Sequence, residues 1–374
     1  HMPRMYVARI AEQYIVQRMP GTGHLHDPSC TSYMPPEGIS GLGQVMDSAI
    51  EHSELEDLTY LKLDFPLSQT GKRPQMPPPS GDGATEAESP PRKLTITGLL
   101  HYLWDEADLT KWTPGMAGKR WWGTVQYHLR QAADGLIAKG NPIASRLYIP
   151  RAFKPELKAE LAGERLEAFG KIRNTGGNKT EFGLIIAEYK GHEPAKFGSK
   201  FMFKHIPDCG FFAEADLVKR FERIFEEQIE LISMTDGAHL IVIATYAMTK
   251  SGFPSLQKIA AMPVTRNWIP FENSNDHMLL DHLTEEKRQF VRPLRYNLTA
   301  KAQIASALLT DTEEPTALFI ADQLPEHILE EPYPSWAWSG DSAFPVLPLK
   351  RLSREDHEEQ EYRAMQNHYN RKER

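Results

Sequence analysis

The stretch HLIVIATYA (239–247) constrains this chain more than any other segment. An exposed strand or a surface helix would interrupt such a run with polar positions at period 2 or 3.6. A near-continuous apolar run of this length is expected of a strand covered on both faces. The chain must therefore wrap layers around a buried sheet, and its neighbouring segments can supply them. FGLIIAEYK and KFMFKHI predict a strand pair. AEADLVKRFERIFEEQIELI (213–232) predicts a long amphipathic helix with Leu217, Val218, Phe221, Ile224, Phe225 and Ile229 on one face. Further strands are expected at 258–265, 305–311 and 316–321, and a helix at 275–286.

Residues 71–93 (GKRPQMPPPSGDGATEAESPPRK) are dominated by proline, glycine and small polar residues, the composition of a flexible linker between folded units. Before the linker, MYVARIAEQYIV (5–16) and LTYLKLDFPL (58–67) alternate as strands do, so residues 1–70 read as a β-rich N-terminal module. After it, Ile96, Leu99, Leu100, Leu103, Trp104 and Ala107 follow helical spacing. A second helix is expected over 119–139 with Trp122, Val125, Leu129, Ala132 and Leu136 inward, stopped by KGNP (139–142). RLYIPRAF (146–153) follows as a short strand. Two helices and a strand predict a winged-helix-like basic unit at 94–154. An α/β core domain at 155–340 and a polar tail at 341–374 complete an α+β or α/β multidomain chain.

Net charge of −7 and a pI near 6.1 argue against indiscriminate coating of nucleic acid, but leave room for a local basic face. Such a face is present. Between Lys111 and Lys154 stand eight lysines and arginines against the single acid Asp134, interleaved with Trp112, Trp121, Trp122, Tyr127 and Tyr148. Basic side chains attract phosphate, and exposed rings stack on unpaired bases. The candidate nucleic-acid-binding residues are Lys111, Lys119, Arg120, Trp121, Arg130 and Arg146; Trp122 falls on the apolar face and reads as core. The same charge could instead dock an acidic protein surface. Two cysteines exclude a disulfide framework and fit a reducing cytoplasm. No run approaches the roughly 18 apolar residues of a membrane span, and the N-terminus does not read as a signal peptide.

Several blocks carry a resemblance. RMPGTG with the following Cys30, LKLDFPLS, LTITGLLHYLWDEADLTKW, GKRWWGTV, RLYIPRAF, EPAKFGSK, NWIPFENSNDHMLLDHL, RQFVRPLRYN and SALLTDT fall in order between residues 18 and 312. Together they resemble the bacterial domain of unknown function family number 1173. The resemblance implies a setting on plasmids and integrating elements, and no chemistry. Members of that family carry a Cys-x-Cys pair just upstream of the segment matching MYVARI. That pair, with Cys30 and either His24 or His26, would give zinc three thiolates and one imidazole. In this sequence His24, His26 and Cys30 stand without the pair, so the loop is expected to hold no metal. Zinc is expected only where the upstream cysteines are present.

NDHMLLDHLTEEKRQFVRPLRYN…IASALLTDTEEPTALFIAD looks like the PD-(D/E)xK nuclease pattern of a helix followed by a two-strand hairpin. That chemistry needs carboxylates to hold Mg²⁺ and a lysine to orient water. Ile304-Ala305-Ser306 and Ala317-Leu318-Phe319-Ile320-Ala321 offer neither, leaving Asp276 and Asp311 as catalytic candidates of an active alternative. GTG (21–23) and GLG (41–43) lack the context of a phosphate loop. Cys209 beside His205 reads as a buried structural cysteine rather than a nucleophile, and Asp105 and Glu106 read as solvated. The expected function is a non-enzymatic, cytoplasmic accessory protein of a bacterial mobile element that binds DNA, RNA or a protein partner. The alternatives are a metal-dependent nuclease and a protein-interaction module.

Overall fold

The computed structural model describes residues 3, 5–10, 13–18, 22–27, 30, 32–34, 40–53, 56, 58–70, 93–172, 179–196, 198–300, 302, 304–312 and 315–320. The expected linker, but for Lys93, and the expected polar tail lie outside them. The architecture is mixed α+β. Its largest sheet runs Ser199–Phe203, Ile206–Ala213, Pro254–Val264, His239–Met248, Gly183–Pro194 and Leu147–Tyr148. The Ser199–Phe203 strand also pairs with Gly183–Pro194, so the pairings close on themselves. His239–Met248 lies in the middle of this sheet, antiparallel to both neighbours.

The apolar run divides as a doubly covered strand must. Ile241 and Ile243 join one core with helix Ile96–Glu106 and helix Trp122–Ala132. Leu240, Val242, Ala244 and Tyr246 join a second, with Phe169 and Ile172 of helix Lys158–Ile172 and Leu217, Val218 and Phe221 of helix Ala215–Met234. Alternation at period 2 sends successive side chains to opposite cores. Helix Ser274–Glu285 and the strands Ala307–Leu309 and Thr316–Leu318 appear where the pattern predicts them, though both strands are short.

Several expectations differ. Helix Ala215–Met234 is kinked at Phe225 (φ −115°, ψ 16°), and Ile224, expected on its apolar face, is exposed. The helix expected over 119–139 ends at Ala132, where Gly135 takes a left-handed conformation (φ 76°) that turns the chain back. Leu136–Ala138 then forms a strand parallel to Leu58–Leu61 and antiparallel to Asn141–Pro142. Asp105 is buried rather than solvated, and accepts hydrogen bonds from the hydroxyls of Thr110 (2.8 Å) and Tyr296.

The strands of the 94–154 segment join three different sheets. Lys111–Trp112 pairs with Phe290–Val291, Leu136–Ala138 with Leu58–Leu61, and Leu147–Tyr148 with Gly183–Pro194. This pairing, with one core shared from Val45 to Tyr296, fixes helix Trp122–Ala132 against the body of the molecule.

Candidate nucleic-acid interface

Of the six basic and aromatic residues singled out in the sequence, three face inward. The Arg120 guanidinium donates to the carbonyls of Leu109 (3.0 Å), Asp108 (3.3 Å), Asn267 (3.4 Å) and Lys111, and lies over the Trp112 ring. Burial pushes its pKa down to about 10. Lys111 is buried with its ammonium 2.8 Å from Asp108. Arg146 joins Glu181 (2.6 Å) and the Leu67 carbonyl (3.1 Å), and so clamps the Leu147–Tyr148 strand to its surroundings. These three hold backbone in place.

Lys119, Trp121 and Arg130 remain exposed. Trp121 is the N-cap residue of helix Trp122–Ala132, and its indole lies over Gly123, where a Cβ would overlap the ring. Gly123, Tyr127 and Arg130 are spaced i, i+4, i+7, and so share one helix face. The Trp121 ring, 57% exposed, thereby extends the stripe that carries Tyr127, 52% exposed, and Arg130. No ion pair engages Lys119 or Arg130 among the described residues. The opposite face of the helix is core. Trp122 Nε1 donates to the Pro150 carbonyl at 2.7 Å and Gln126 Nε2 to the Ile149 carbonyl at 3.3 Å.

Tyr127, Arg130 and Gln131 also line a cleft of about 1010 Å³ between this helix and Lys158–Ile172, bounded by Tyr148, Ile149 and Arg151. Its charges are mixed, so the basic character found in the sequence is concentrated on the ridge and diluted in the cleft.

A second constellation escaped the sequence reading. The buried carboxylate of Glu188 meets His239 Nδ1 at 2.7 Å and Lys204 Nζ at 2.8 Å, with His205 Nε2 3.5 Å away. Burial raises a carboxyl pKa, but the hydrogen bonds with His239 and Lys204, and the nearby His205, outweigh it and hold Glu188 far below the usual range. The His205 ring stacks on Trp122, with centroids 5.1 Å apart, and the His239 ring on Trp268, 4.2 Å apart. Trp268 adopts φ 62°, which is costly for a bulky residue. Its turn is pinned by Trp104 Nε1 donating to its carbonyl (3.2 Å) and by its own N–H donating to Thr265 O (2.8 Å). The cluster therefore fixes the inward face of the helix that presents the ridge. The one sequence signal was an acid, Glu188, inside the apolar strand GLIIAEYK.

A family model described as protein of unknown function (DUF1173) matches residues 3–336. The chain belongs to the DUF1173 family. No curated protein and no solved structure matches it.

In this DUF1173 chain, two of the three metal candidates come together. Cys30 Sγ lies 3.8 Å from His26 Nδ1 and accepts a hydrogen bond from Ser32 N at 3.4 Å; the His24 side chain lies outside the described residues. Two donors do not make the four that a structural zinc takes, and no group of three ligating side chains is assembled among the described residues. Among the described residues, His26 and Cys30 supply two of the four ligands that the zinc implied by the family resemblance would take.

The two nuclease candidates are each engaged by an arginine. Asp276, 1% exposed, accepts from Arg292 Nη2 at 2.7 Å and from Glu272 N at 3.1 Å. Asp311 accepts from Arg288 Nε (2.8 Å), Arg288 Nη2 (2.7 Å) and Gln289 N (2.9 Å). Against burial, which would raise it, these donors hold the Asp311 carboxyl below its ordinary value. Cys209 is half-buried against the second core, and burial pushes its thiol pKa up, away from the reactive thiolate.

Proposed function

We propose that this DUF1173 protein binds unpaired nucleic acid on the ridge formed by Lys119, Trp121, Tyr127 and Arg130, as a non-enzymatic accessory protein of a bacterial mobile element. The observation that carries the reading is the Trp121 ring over Gly123. It sets two exposed aromatic rings on the helix face that carries Arg130, and neither Arg130 nor Lys119 has an ion pair among the described residues. Each base stacked on such a ring contributes about 1–3 kcal/mol, and the cations take the phosphates. A duplex keeps its bases stacked on one another and offers the ridge only its backbone.

The helix pair Ile96–Glu106 and Trp122–Ala132 is the winged-helix-like platform of this reading, with Leu136–Ala138 and Asn141–Pro142 as the wing. In this reading the segment from 155 onward acts as scaffold, of degenerate nuclease type, with Asp276 engaged by Arg292 and Asp311 by Arg288. The family resemblance supports the mobile-element setting in this reading, and the cysteine usage supports a cytoplasmic location.

Fluorescence anisotropy with a single strand of about 15 nucleotides and with the matching duplex tests the proposal. The single strand should bind more tightly, and Trp121→Ala and Tyr127→Ala should each weaken it by about 5- to 100-fold. Equal affinity for both forms, or full affinity in both variants, would contradict it.

A further inference from the structure

We propose that the cleft beside the ridge accepts one unpaired base bearing an exocyclic amine, with Asp134 as the acceptor that selects it. This inference rests on the ridge reading and goes beyond it, from a class of polymer to a choice among bases.

The charges of the cleft carry the inference. Six charged side chains line it. Arg151 is held by Glu164 at 2.5 Å and Lys171 by Glu167 at 3.4 Å, so four of the six are occupied with one another. Arg130 and Asp134 have no ion pair among the described residues, and they are one helical turn apart in sequence. Asp134 is exposed at the rim of the cleft, in the turn after the helix where its N–H donates to the Gln131 carbonyl at 3.0 Å. Gln131 Nε2 donates to the Tyr127 hydroxyl at 2.7 Å and steadies that ring as one wall.

An unpaired carboxylate beside a phosphate-binding ridge repels a polyanion through every interaction but one. It accepts hydrogen bonds from a base edge. Cytosine N4 donates to Asp and Glu in this way, and adenine N6 and guanine N2 are amines of the same kind; thymine and uracil present a carbonyl at the position of the cytosine amine. A strand whose phosphates meet Lys119 and Arg130 can turn one base inward, with Tyr127 against its face and Asp134 against its amine. The cleft volume is at the upper end of the roughly 300–1,000 Å³ of small-ligand pockets, ample for one base.

The test compares oligo-dC with oligo-dT of about 15 nucleotides, two weakly stacking pyrimidine strands that differ in the exocyclic amine. Titrations are run by anisotropy at a slightly alkaline pH, so that cytosine carries no proton at its ring nitrogen. Oligo-dC should bind the unmodified protein about 5- to 10-fold more tightly. Asp134→Asn and Asp134→Ala should bring the two strands within about twofold, chiefly by tightening oligo-dT as the repulsion is removed. Trp121→Ala should weaken both strands by the same factor and leave the preference intact. Equal binding of the two strands by the unmodified protein, or a preference that survives both Asp134 variants, would overturn the base pocket and leave the ridge standing. Failure of the unmodified protein to bind either strand would overturn both.

Discussion

The indole of Trp121 lies across Gly123, filling the space that a side chain there would need. Glycine at a first-turn helical position costs up to about 1 kcal/mol relative to alanine, so the ring is placed at some expense in helix stability. Gly123→Ala should lift Trp121 off the helix and weaken single-strand binding by several-fold. Thermal stability should stay level or rise, because the displaced ring is largely exposed. Binding and melting measured on the same variant check this; unchanged affinity would separate the ring position from binding.

Lys119 and Arg120 are adjacent in sequence and opposite in role. Lys119→Ala should reduce the salt dependence of single-strand binding by about 0.7 in log–log slope with little effect on stability. Arg120→Ala leaves four backbone carbonyls without their guanidinium partner and should cost about 2–4 kcal/mol by denaturant melting. Equal effects of the two substitutions on stability would contradict this division.

Asp276→Asn should destabilise the fold by about 3–5 kcal/mol, because it strands the buried Arg292 with Glu272 3.8 Å away as its remaining acid. Urea melting measures the loss. A variant as stable as the parent would show that this carboxylate is not committed to Arg292.

Glu188 sets an acid limit. Its pKa in the folded protein lies below that of the unfolded chain, near 4.3, so its stabilisation is complete above that value and is lost as pH falls below it. The melting temperature should drop below about pH 5, and Glu188→Gln should be less stable at neutral pH with a shallower acid slope. Melting curves of both proteins from neutral to acid pH test this. Parallel slopes would place the acid-sensitive group elsewhere.

What the sequence revealed follows the range of the interactions involved. Strand His239–Met248 and the first half of helix Ala215–Met234 were legible because hydrophobic periodicity is local, and the inward face of Trp122 follows from the same spacing; the kink at Phe225 that follows was not. The inward turn of Arg120 and Arg146 was not legible. A basic side chain at the surface and one bonded to carbonyls read alike in sequence, and Arg120 reaches Asn267 while Arg146 reaches Glu181. The Glu188 cluster was half legible: an acid in an apolar strand demands partners, but His239 lies 51 residues away. Gly123 gave no signal until the Trp121 ring was seen to occupy its place.

Photocrosslinking tests the ridge most directly. A single strand carrying photoreactive thymidine analogues is irradiated in complex with the protein, and the crosslinked peptides are located by mass spectrometry. Crosslinks should concentrate on Trp121 and Tyr127 and disappear when both are replaced by alanine. Crosslinks confined to other surfaces, or none at saturating single strand, would contradict binding on this ridge.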